Sequence, residues 1–429
     1  MKRSLDLAIA AATLHADDAA PARFFIERIE VRNAHRVSPE LVISESLLRA
    51  GAEYSEDELR AASLRLNRLA YLLSADFALE KGSDRGRHVL VITVAETKPF
   101  FYLIDARQIF PADNNDPHRT AVDYASSLGP ESTDAAIGYR KFIGRRGVAH
   151  VGLTSREDRQ EFTTDYSALA AGYTQYDLFG THAFATLNLR WPVTQGNPAL
   201  SPQLVVGIPL TPKHTLTLDY EETRFRRNTT ILAGAPFTRQ DAERVVSLIW
   251  AYNTTNQPFV PTRGTLVRIV PQWSTRDLAS YSRAIFFPGN GERVDAYADH
   301  FNGYGIDATA ARYFELAGGD SVSATLQGGW SSTEERANQL LTPRIIHAQP
   351  AYASVGGGYS YNLRRDASKD DGDSRVEVDA QYVARQGDYS RNGSQFIDIR
   401  SDEGLRLSAA WVRRNVWGTV RLGVGYTWR

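Results

Sequence analysis

Cysteine is missing from all 429 residues, and with it go disulfide frameworks, thiolate metal sites and cysteine nucleophiles. An excess of either charge is missing too: 49 basic residues stand against 50 acidic ones, so the chain lacks the basic footprint of a nucleic-acid binder. No apolar run reaches the length of about 18 residues that a spanning helix needs. There is no Gly-x-Ser-x-Gly elbow, no His-Glu-x-x-His pair and no phosphate loop, and the nine histidines are scattered singly. His182, His214 and His300 read as solvated residues of loops and strand starts. The acidic stretch Asp366 to Asp373 lacks the spacing of a calcium loop and reads as a solvated turn. The expectation is a protein that is not an enzyme and that carries no cofactor and no metal.

What the chain does have is alternation. From residue 136 to the C-terminus, short segments place apolar residues opposite polar or charged ones, often end in Tyr or Trp, and are separated by breaks rich in Gly, Asp and Asn. In the last segment Val420, Leu422, Val424, Tyr426 and Trp428 share one face, while Arg421, Gly423, Gly425 and Thr427 share the other. Val376, Val378, Ala380 and Tyr382 oppose Arg375, Glu377, Asp379 and Gln381; Leu216, Leu218 and Tyr220 oppose Thr217, Asp219 and Glu221. A soluble sandwich also alternates. Here, however, the apolar face is light in Ala and Gly, which fill a core poorly, and the aromatics gather at segment ends, as an interfacial girdle requires. The pattern predicts a mainly β protein with a C-terminal transmembrane antiparallel β-barrel over 136–429. Even strand numbers are the rule for such barrels, and about sixteen is expected here, with twelve or fourteen as alternatives. Arg268, Asp219, Glu221, Glu377, Asp379 and Arg406 fall on the inward face and suit a wet or plugged lumen.

The N-terminal part reads differently. Residues 1–21 have a basic start, a short apolar stretch interrupted by Asp6 and small residues beyond, which fits either a secretory signal peptide or a disordered tail. Phe24 to Val31 is a strand; Ser38-Pro39 opens a short helix through Leu41, Leu47 and Leu48 that ends at Gly51. Ser55 and Glu58 have capping-box spacing, with Leu59, Ala62, Leu66 and Leu69 at helical intervals behind them. Leu72 to Leu79 and His88 to Val94 are strands joined by the turn residues Gly82 to Gly86. The expected order is β-α-α-β-β within 22–98, with 99–135 as linker and first barrel segment.

That order, with Ile26, Ile29, Val31 and Asn33, the Val37-Ser38-Pro39-Glu40-Leu41-Val42 helix start and the helix from Ser55 to Leu69, resembles a POTRA domain. POTRA domains are the periplasmic modules of the BamA/TamA-like outer-membrane family, in the surface-antigen and two-partner-secretion superfamily. Tyr252 to Gly264, with Pro258, Pro261, Thr262, Arg263 and Gly264, is similar to a turn between central barrel strands of that family; its prolines and glycine make it a stiff connection in any case. The family's inward-folded loop carries an Arg-Gly-aromatic motif. This chain has Gly356, Gly357, Gly358 and Tyr359 in that region, with no arginine, and they are read as a remnant of that lumen loop.

The resemblance implies a bacterial outer-membrane protein with its N-terminal domain in the periplasm, inserting or translocating polypeptide by β-augmentation. Its implied partners are outer-membrane lipid, an unfolded or secreted polypeptide client, and periplasmic or lipoprotein accessory proteins. The strand carrying Leu72, Leu73, Ala75, Phe77 and Leu79 is then the client-pairing edge. Val420, Leu422, Gly423, Val424, Gly425, Tyr426 and Trp428 form one lip of the barrel seam. Two alternatives from other classes stand beside this reading, namely a passive pore or structural barrel with a docking module, and an outer-membrane lipolytic enzyme.

Overall fold

A computed structural model describes residues 22–111, 132–158, 166–193, 200–232, 235–258, 260–286, 291–334, 351–363, 373–392 and 395–428. The candidate signal segment 1–21, most of the linker before residue 132 and most of the acidic stretch 366–373 lie outside the described residues.

Two sheets organise the chain. The first is built from β1 (Arg23–Arg32), β2 (Ala52–Ser55), β3 (Leu72–Lys81) and β4 (Arg87–Glu96) in the order β2-β1-β4-β3, with β1 and β4 parallel at its centre. Two helices pack on it, α1 (Pro39–Ser46) and α2 (Glu56–Asn67). Ser38 caps α1, its Oγ accepting from the Leu41 amide, with Pro39 following where its missing N–H costs nothing. Ser55 and Glu58 form the expected capping box on α2: the Ser55 hydroxyl accepts from the Glu58 amide and the Glu58 carboxylate accepts from the Ser55 amide. Ile26, Leu41, Leu66, Leu72, Leu90 and Ile92 are fully buried between helices and sheet.

The expected order of elements is present, with two differences. A short strand, β2, lies between the helices, paired to β1 from Arg23↔Ser55 to Ile26↔Ala52. Helix α1 also stops before Leu47, because Leu47 adopts a left-handed conformation (φ 61°) and turns the chain early, ahead of Gly51.

The second sheet closes on itself. Its strands are β5 (Phe100–Pro111), β6 (Ser132–Ile143), β7 (Gly147–Asp158), β8 (Tyr166–Leu178), β9 (Ala183–Pro192), β10 (Ser201–Pro209), β11 (His214–Leu232), β12 (Ala235–Asn253), β13 (Gly264–Phe286), β14 (Gly291–Glu315), β15 (Ser321–Glu334), β16 (Ala351–Asn362), β17 (Asp373–Asn392), β18 (Gln395–Asn415) and β19 (Gly418–Trp428). Each pairs antiparallel with its sequence neighbour, and β19 meets β5 to complete the ring. The count among the described residues is fifteen, close to the expected sixteen but odd. Oddness has a geometric consequence: the first and last strands run the same way, so the closing pair β19–β5 is parallel.

The side-chain alternation sorts as a lipid-embedded cylinder requires. Leu153, Leu169, Leu218, Leu326, Val355, Val378, Leu422 and Val424 point outward and are exposed. On β14 the exposed aromatics Tyr304 and Phe314 are separated by about ten residues, the length of strand that crosses a hydrocarbon core. Trp273 pairs with Tyr304 in register, and the Tyr304 and Trp330 rings lie 5.8 Å apart, making a girdle segment at one level. So extensive an apolar exterior on a closed sheet needs hydrocarbon as its solvent. None of the described helices is long and apolar enough to cross a membrane.

Candidate functional site

The turns following β6, β8, β10, β12 and β18 lie at one end of the barrel, and the N-terminal sheet-and-helix unit is seated against them. We call this end the proximal mouth. Tyr71, just before β3, is 3% exposed, and its ring makes edge-on contacts with Phe142 (5.5 Å) and Tyr176 (5.8 Å), which face inward from β6 and β8. Burial pushes the Tyr71 hydroxyl well above its ordinary pKa, so the ring enters as a neutral wedge. Arg68 donates to the backbone carbonyls of Pro212 (2.8 Å) and Thr255 (3.4 Å), in the connections after β10 and β12. Burial lowers its pKa to about 10, so it keeps its charge at neutral pH. From the opposite wall, Arg414 on β18 donates to the Leu72 carbonyl (3.2 Å) and to Gln257 Oε1 (3.2 Å). Residues 68–72 thus touch the ring at β6, β8, β18 and two connections between strands.

Behind this contact, Glu45 on α1 and Arg65 on α2 form a buried pair at 2.8 Å, and Arg65 also donates to the Glu45 backbone carbonyl. Burial pushes the Glu45 carboxyl up while Arg65 draws it down, leaving it raised. The β8–β9 turn abuts the same helix. Asp177, Phe179 and His182 all have positive φ there, uncommon for residues other than glycine, and the Asp177 carboxylate holds the turn through Arg146 (2.7 Å) and the His182 amide (2.9 Å). The His182 ring lies within hydrogen-bond reach of Ser44 (3.3 Å) and Arg49 (3.4 Å). Ser38 donates to the Arg145 carbonyl in the β6–β7 turn.

The connection 254–263, predicted to be stiff, is held from within. Asn256 donates to the Thr262 hydroxyl (2.9 Å) and accepts from the Thr262 amide (3.0 Å); Thr254 and Thr265 exchange bonds across the neck. Val260 and Thr262 are buried. Gly264 has φ +105°, and a Cβ there would lie 2.3 Å from the Thr254 carbonyl oxygen, so only glycine fits. Pro258, Pro261 and Arg263 complete the loop, with Arg263 facing Glu315 at 3.9 Å.

The glycine-rich segment requires a correction. Gly356, Gly357, Gly358 and Tyr359 lie inside β16, paired on both sides with β15 and β17, so they are barrel wall and not a loop in the lumen. Their smallness has a local cause: a Cβ on Gly358 would meet the Asp379 carboxylate at 2.1 Å, so glycine leaves room for the charged side chain beside it. Tyr359 points outward and donates to Asp320 (2.7 Å). Asp219, Glu377, Asp379 and Arg406 alternate with exposed neighbours and so face inward as expected; Glu221 shares the face of Asp219, and Arg268 falls on the face opposite the exposed Trp273 by the period of two. Asp219, Glu221 and Glu377 take part in polar ladders across the wall: Asn188–Gln203 (3.0 Å), Gln203–Asp219 (3.1 Å), Arg190–Glu221 (3.0 Å) and Arg421–Glu377 (3.0 Å).

β3, carrying Leu72, Leu73, Ala75, Phe77 and Leu79, is an edge strand. Its first half is already engaged. The Leu72 carbonyl is taken by Arg414; the Ala75 amide donates to Asn67 (2.5 Å) and its carbonyl accepts from Ser63 (2.9 Å). Since Ala75 turns its main-chain groups away from β4, strand alternation turns those of Phe77 and Leu79 the same way. Of the edge expected to pair a client, these contacts leave the second half uncovered, where Leu79 is 37% exposed.

β19 carries Val420, Leu422, Gly423, Val424, Gly425, Tyr426 and Trp428, in parallel register with β5 from Gly418↔Tyr102 to Thr427↔Pro111. The foot of this seam is fastened: Lys98 N–H donates to the Val416 carbonyl (2.7 Å), Tyr102 N–H to the Trp417 carbonyl (3.0 Å), and Asn415 donates to the Tyr102 hydroxyl (2.9 Å). Tyr71, Arg68 and Arg414 escaped sequence reasoning; an aromatic between a helix and an edge strand carries no local mark of a contact made with a distant sheet. Among the described residues no group of His, Asp and Glu is arranged to hold a metal.

No family model matches the chain, and no curated protein is significantly similar to it in sequence. Among solved structures it is similar to BamA from Haemophilus ducreyi lacking POTRA domains 1-3, at 12% identity over 94% of this chain and 85% of that one, with a TM-score of 0.40. It is similar to CdiB from Acinetobacter baumannii at 9% identity over 91% of this chain and 60% of that one, with a TM-score of 0.43. CdiB from Escherichia coli aligns at 10% identity over 96% of this chain and 88% of that one, with a TM-score of 0.39.

Proposed function

We propose that this chain is an outer-membrane protein that inserts or translocates polypeptide, with residues 22–98 acting as a POTRA-like domain in the periplasm and 136–429 forming most of the barrel in lipid. The observation that carries this reading is the placement of an open strand edge, Phe77 to Lys81, on a unit seated at the mouth of a barrel whose closing pair is parallel. Main-chain groups on that edge bind any extended segment, so client choice is broad and pairing is sequence-tolerant. The edge captures the client, and the seam β19–β5 receives it next. Gly423 and Gly425 give the seam little side-chain packing on the lumen side. Periplasmic or lipoprotein accessory partners would work at the N-terminal unit.

The second reading, a passive pore, draws on the charged ladders of the lumen wall. Against it stands the wedge of residues 68–72 in the proximal mouth. Reconstitution into liposomes separates the two. Faster folding of an added unfolded barrel protein supports insertion; steady ion conductance with no effect on that folding overturns it in favour of the pore.

A further inference from the structure

Two lysines oppose each other on the outer wall at the proximal mouth. β5 and β6 pair through Phe100↔Tyr139, and the ladder runs one step further, the Arg140 amide donating to the Pro99 carbonyl (2.8 Å). Beyond that hydrogen-bonded pair, Lys98 and Lys141 are the next opposed residues, a non-hydrogen-bonded pair of the kind whose side chains lie closest. Lys98 accordingly sends its amide the other way, to the Val416 carbonyl at 2.7 Å. By the period of two, both lysines share the outward face of Phe100, Tyr139 and Ile143, and all five residues are exposed. Among the described residues neither lysine has a carboxylate partner; Lys98 lies over the Trp417 ring at 5.9 Å.

Like charges directly opposed across a strand pair destabilise it, and an anion held between them reverses the sign. The surroundings say which anion. One step distal of the lysines the Phe100 and Tyr139 rings meet edge-on at 5.0 Å, and the exposed Trp417 stands beside Lys98. Such rings mark the boundary between hydrocarbon and headgroups, and lysine stems lie along apolar surface while holding the ammonium at headgroup level. We propose that Lys98 and Lys141 bind between them the phosphate of an anionic phospholipid of the proximal leaflet, whose acyl chains run distally over Phe100 and Tyr139. The proposal rests on the membrane-barrel reading and is independent of polypeptide insertion. A lipid, unlike a free phosphate, uses both the charges and the exposed rings. The site is also preformed: Lys98 is fixed to β19 through Val416 and Pro99 to β6 through Arg140, so the ligand orders no backbone. It lies on the joint between the two units, since the Thr97 amide donates to the Tyr71 carbonyl (3.1 Å) while the next residue is already bonded to the barrel.

The test titrates the full chain, in micelles of an uncharged detergent, with phosphatidylglycerol or phosphatidylcholine carrying a fluorescent acyl chain, and reads energy transfer from tryptophan. Expected is a preference of about tenfold or more for phosphatidylglycerol, weakened by salt. The preference should vanish when Lys98→Gln and Lys141→Gln are combined and persist when Lys98→Arg and Lys141→Arg are combined. It should also persist in Lys213→Gln, which removes an exposed charge from the β10–β11 turn at the same mouth. Heat-modifiable migration on semi-native gels checks that each variant is folded. Equal uptake of the two lipids by the wild type, or a preference untouched by the double glutamine change, overturns the proposal. So does an equal loss in Lys213→Gln, which would mean diffuse rim charge, or displacement of the lipid by glycerol phosphate at matched concentration, which would mean a site for free phosphate. A chain that stays monomeric in detergent-free buffer and takes up neither lipid overturns the membrane reading as well. Lipid preference without faster client folding in liposomes refutes insertion and leaves this site standing.

Discussion

The carbonyl oxygen of Leu72, at the start of the N-terminal edge strand, accepts a hydrogen bond from the guanidinium of Arg414 on the penultimate barrel strand, 3.2 Å away. Both residues are buried, so the bond forms where water cannot replace it. Arg414→Ala leaves the Leu72 carbonyl and Gln257 without this donor; losing a hydrogen bond to a charged group costs roughly 1.5–3 kcal/mol. Docking of the N-terminal unit should weaken by roughly 10- to 100-fold. Trypsin cleavage near Lys98 and conductance through the barrel should both rise, and unchanged cleavage kinetics would count against the contact as a latch.

Tyr71→Ala acts on the same mouth through packing. It removes two edge-on aromatic contacts, each worth about 0.5–1.5 kcal/mol, and opens a cavity between Phe142 and Tyr176. Tyr71→Phe keeps the wedge. Planar-bilayer recordings should therefore show larger or more frequent openings for the alanine variant and wild-type behaviour for phenylalanine.

The Glu96 carboxylate gives a pH-dependent prediction. Oε1 accepts from three consecutive amides, His35, Arg36 and Val37, each at 2.9 Å, and Oε2 pairs with the Arg36 guanidinium at 2.9 Å. Burial pushes this carboxyl up, but the donors outweigh it, so its pKa lies below the ordinary 4.5. A lowered folded-state pKa stabilises the unit above 4.5, and that stability is lost as pH falls through and below it. Glu96→Gln should destabilise the N-terminal unit by about 2 kcal/mol at pH 7. In urea melts the difference from wild type should shrink steadily below pH 4.5; a difference constant from pH 7 to pH 3 would contradict an ionic origin.

Much of this molecule is written locally. The capping box at Ser55 and Glu58 sets α2 through four consecutive residues, and the alternation of Val420 to Trp428 sets a strand and its lipid face through nearest neighbours. The inward charges Asp219, Glu221 and Glu377 follow from the same period of two. What the sequence conceals is closure. Whether a ring holds fifteen or sixteen strands depends on register summed around the whole circumference, and no single segment encodes it. The same holds for Gly356 to Tyr359, whose glycines look like a loop until the Asp379 carboxylate is found beside them. Tyr71 belongs by sequence to the small domain, but two of its partners, Phe142 and Tyr176, are barrel residues.

Gly264 tests the stiffness of the 254–263 connection. Its φ of +105° and the Thr254 carbonyl 2.3 Å from a built Cβ leave no conformation for a side chain. Gly264→Val must therefore move the neck, breaking the exchange between Thr254 and Thr265 that starts the β12–β13 pair. A left-handed backbone position alone costs a substituted residue roughly 1–2 kcal/mol, and the clash adds to it. The heat-modifiable, compact band on semi-native gels should diminish for this variant, whereas Arg263→Ala, whose exposed pairing with Glu315 is weak, should migrate as wild type.

Leu79→Pro tests the client edge without disturbing the fold. The Leu79 main chain faces away from β4, so replacing its amide breaks no bond in the sheet, and proline is tolerated on the free side of an edge strand. The N-terminal unit should keep its thermal stability to within about 1 kcal/mol, since an edge position with no partner has little to lose. Capture of an extended client should fall, because one donor of the augmenting ladder is gone and the ring blocks close approach. Ala78→Pro is the contrasting substitution, removing an amide that points into the β3–β4 ladder, and it should unfold the edge. If Leu79→Pro accelerates client folding in liposomes as well as wild type does, the second half of β3 is not where clients pair.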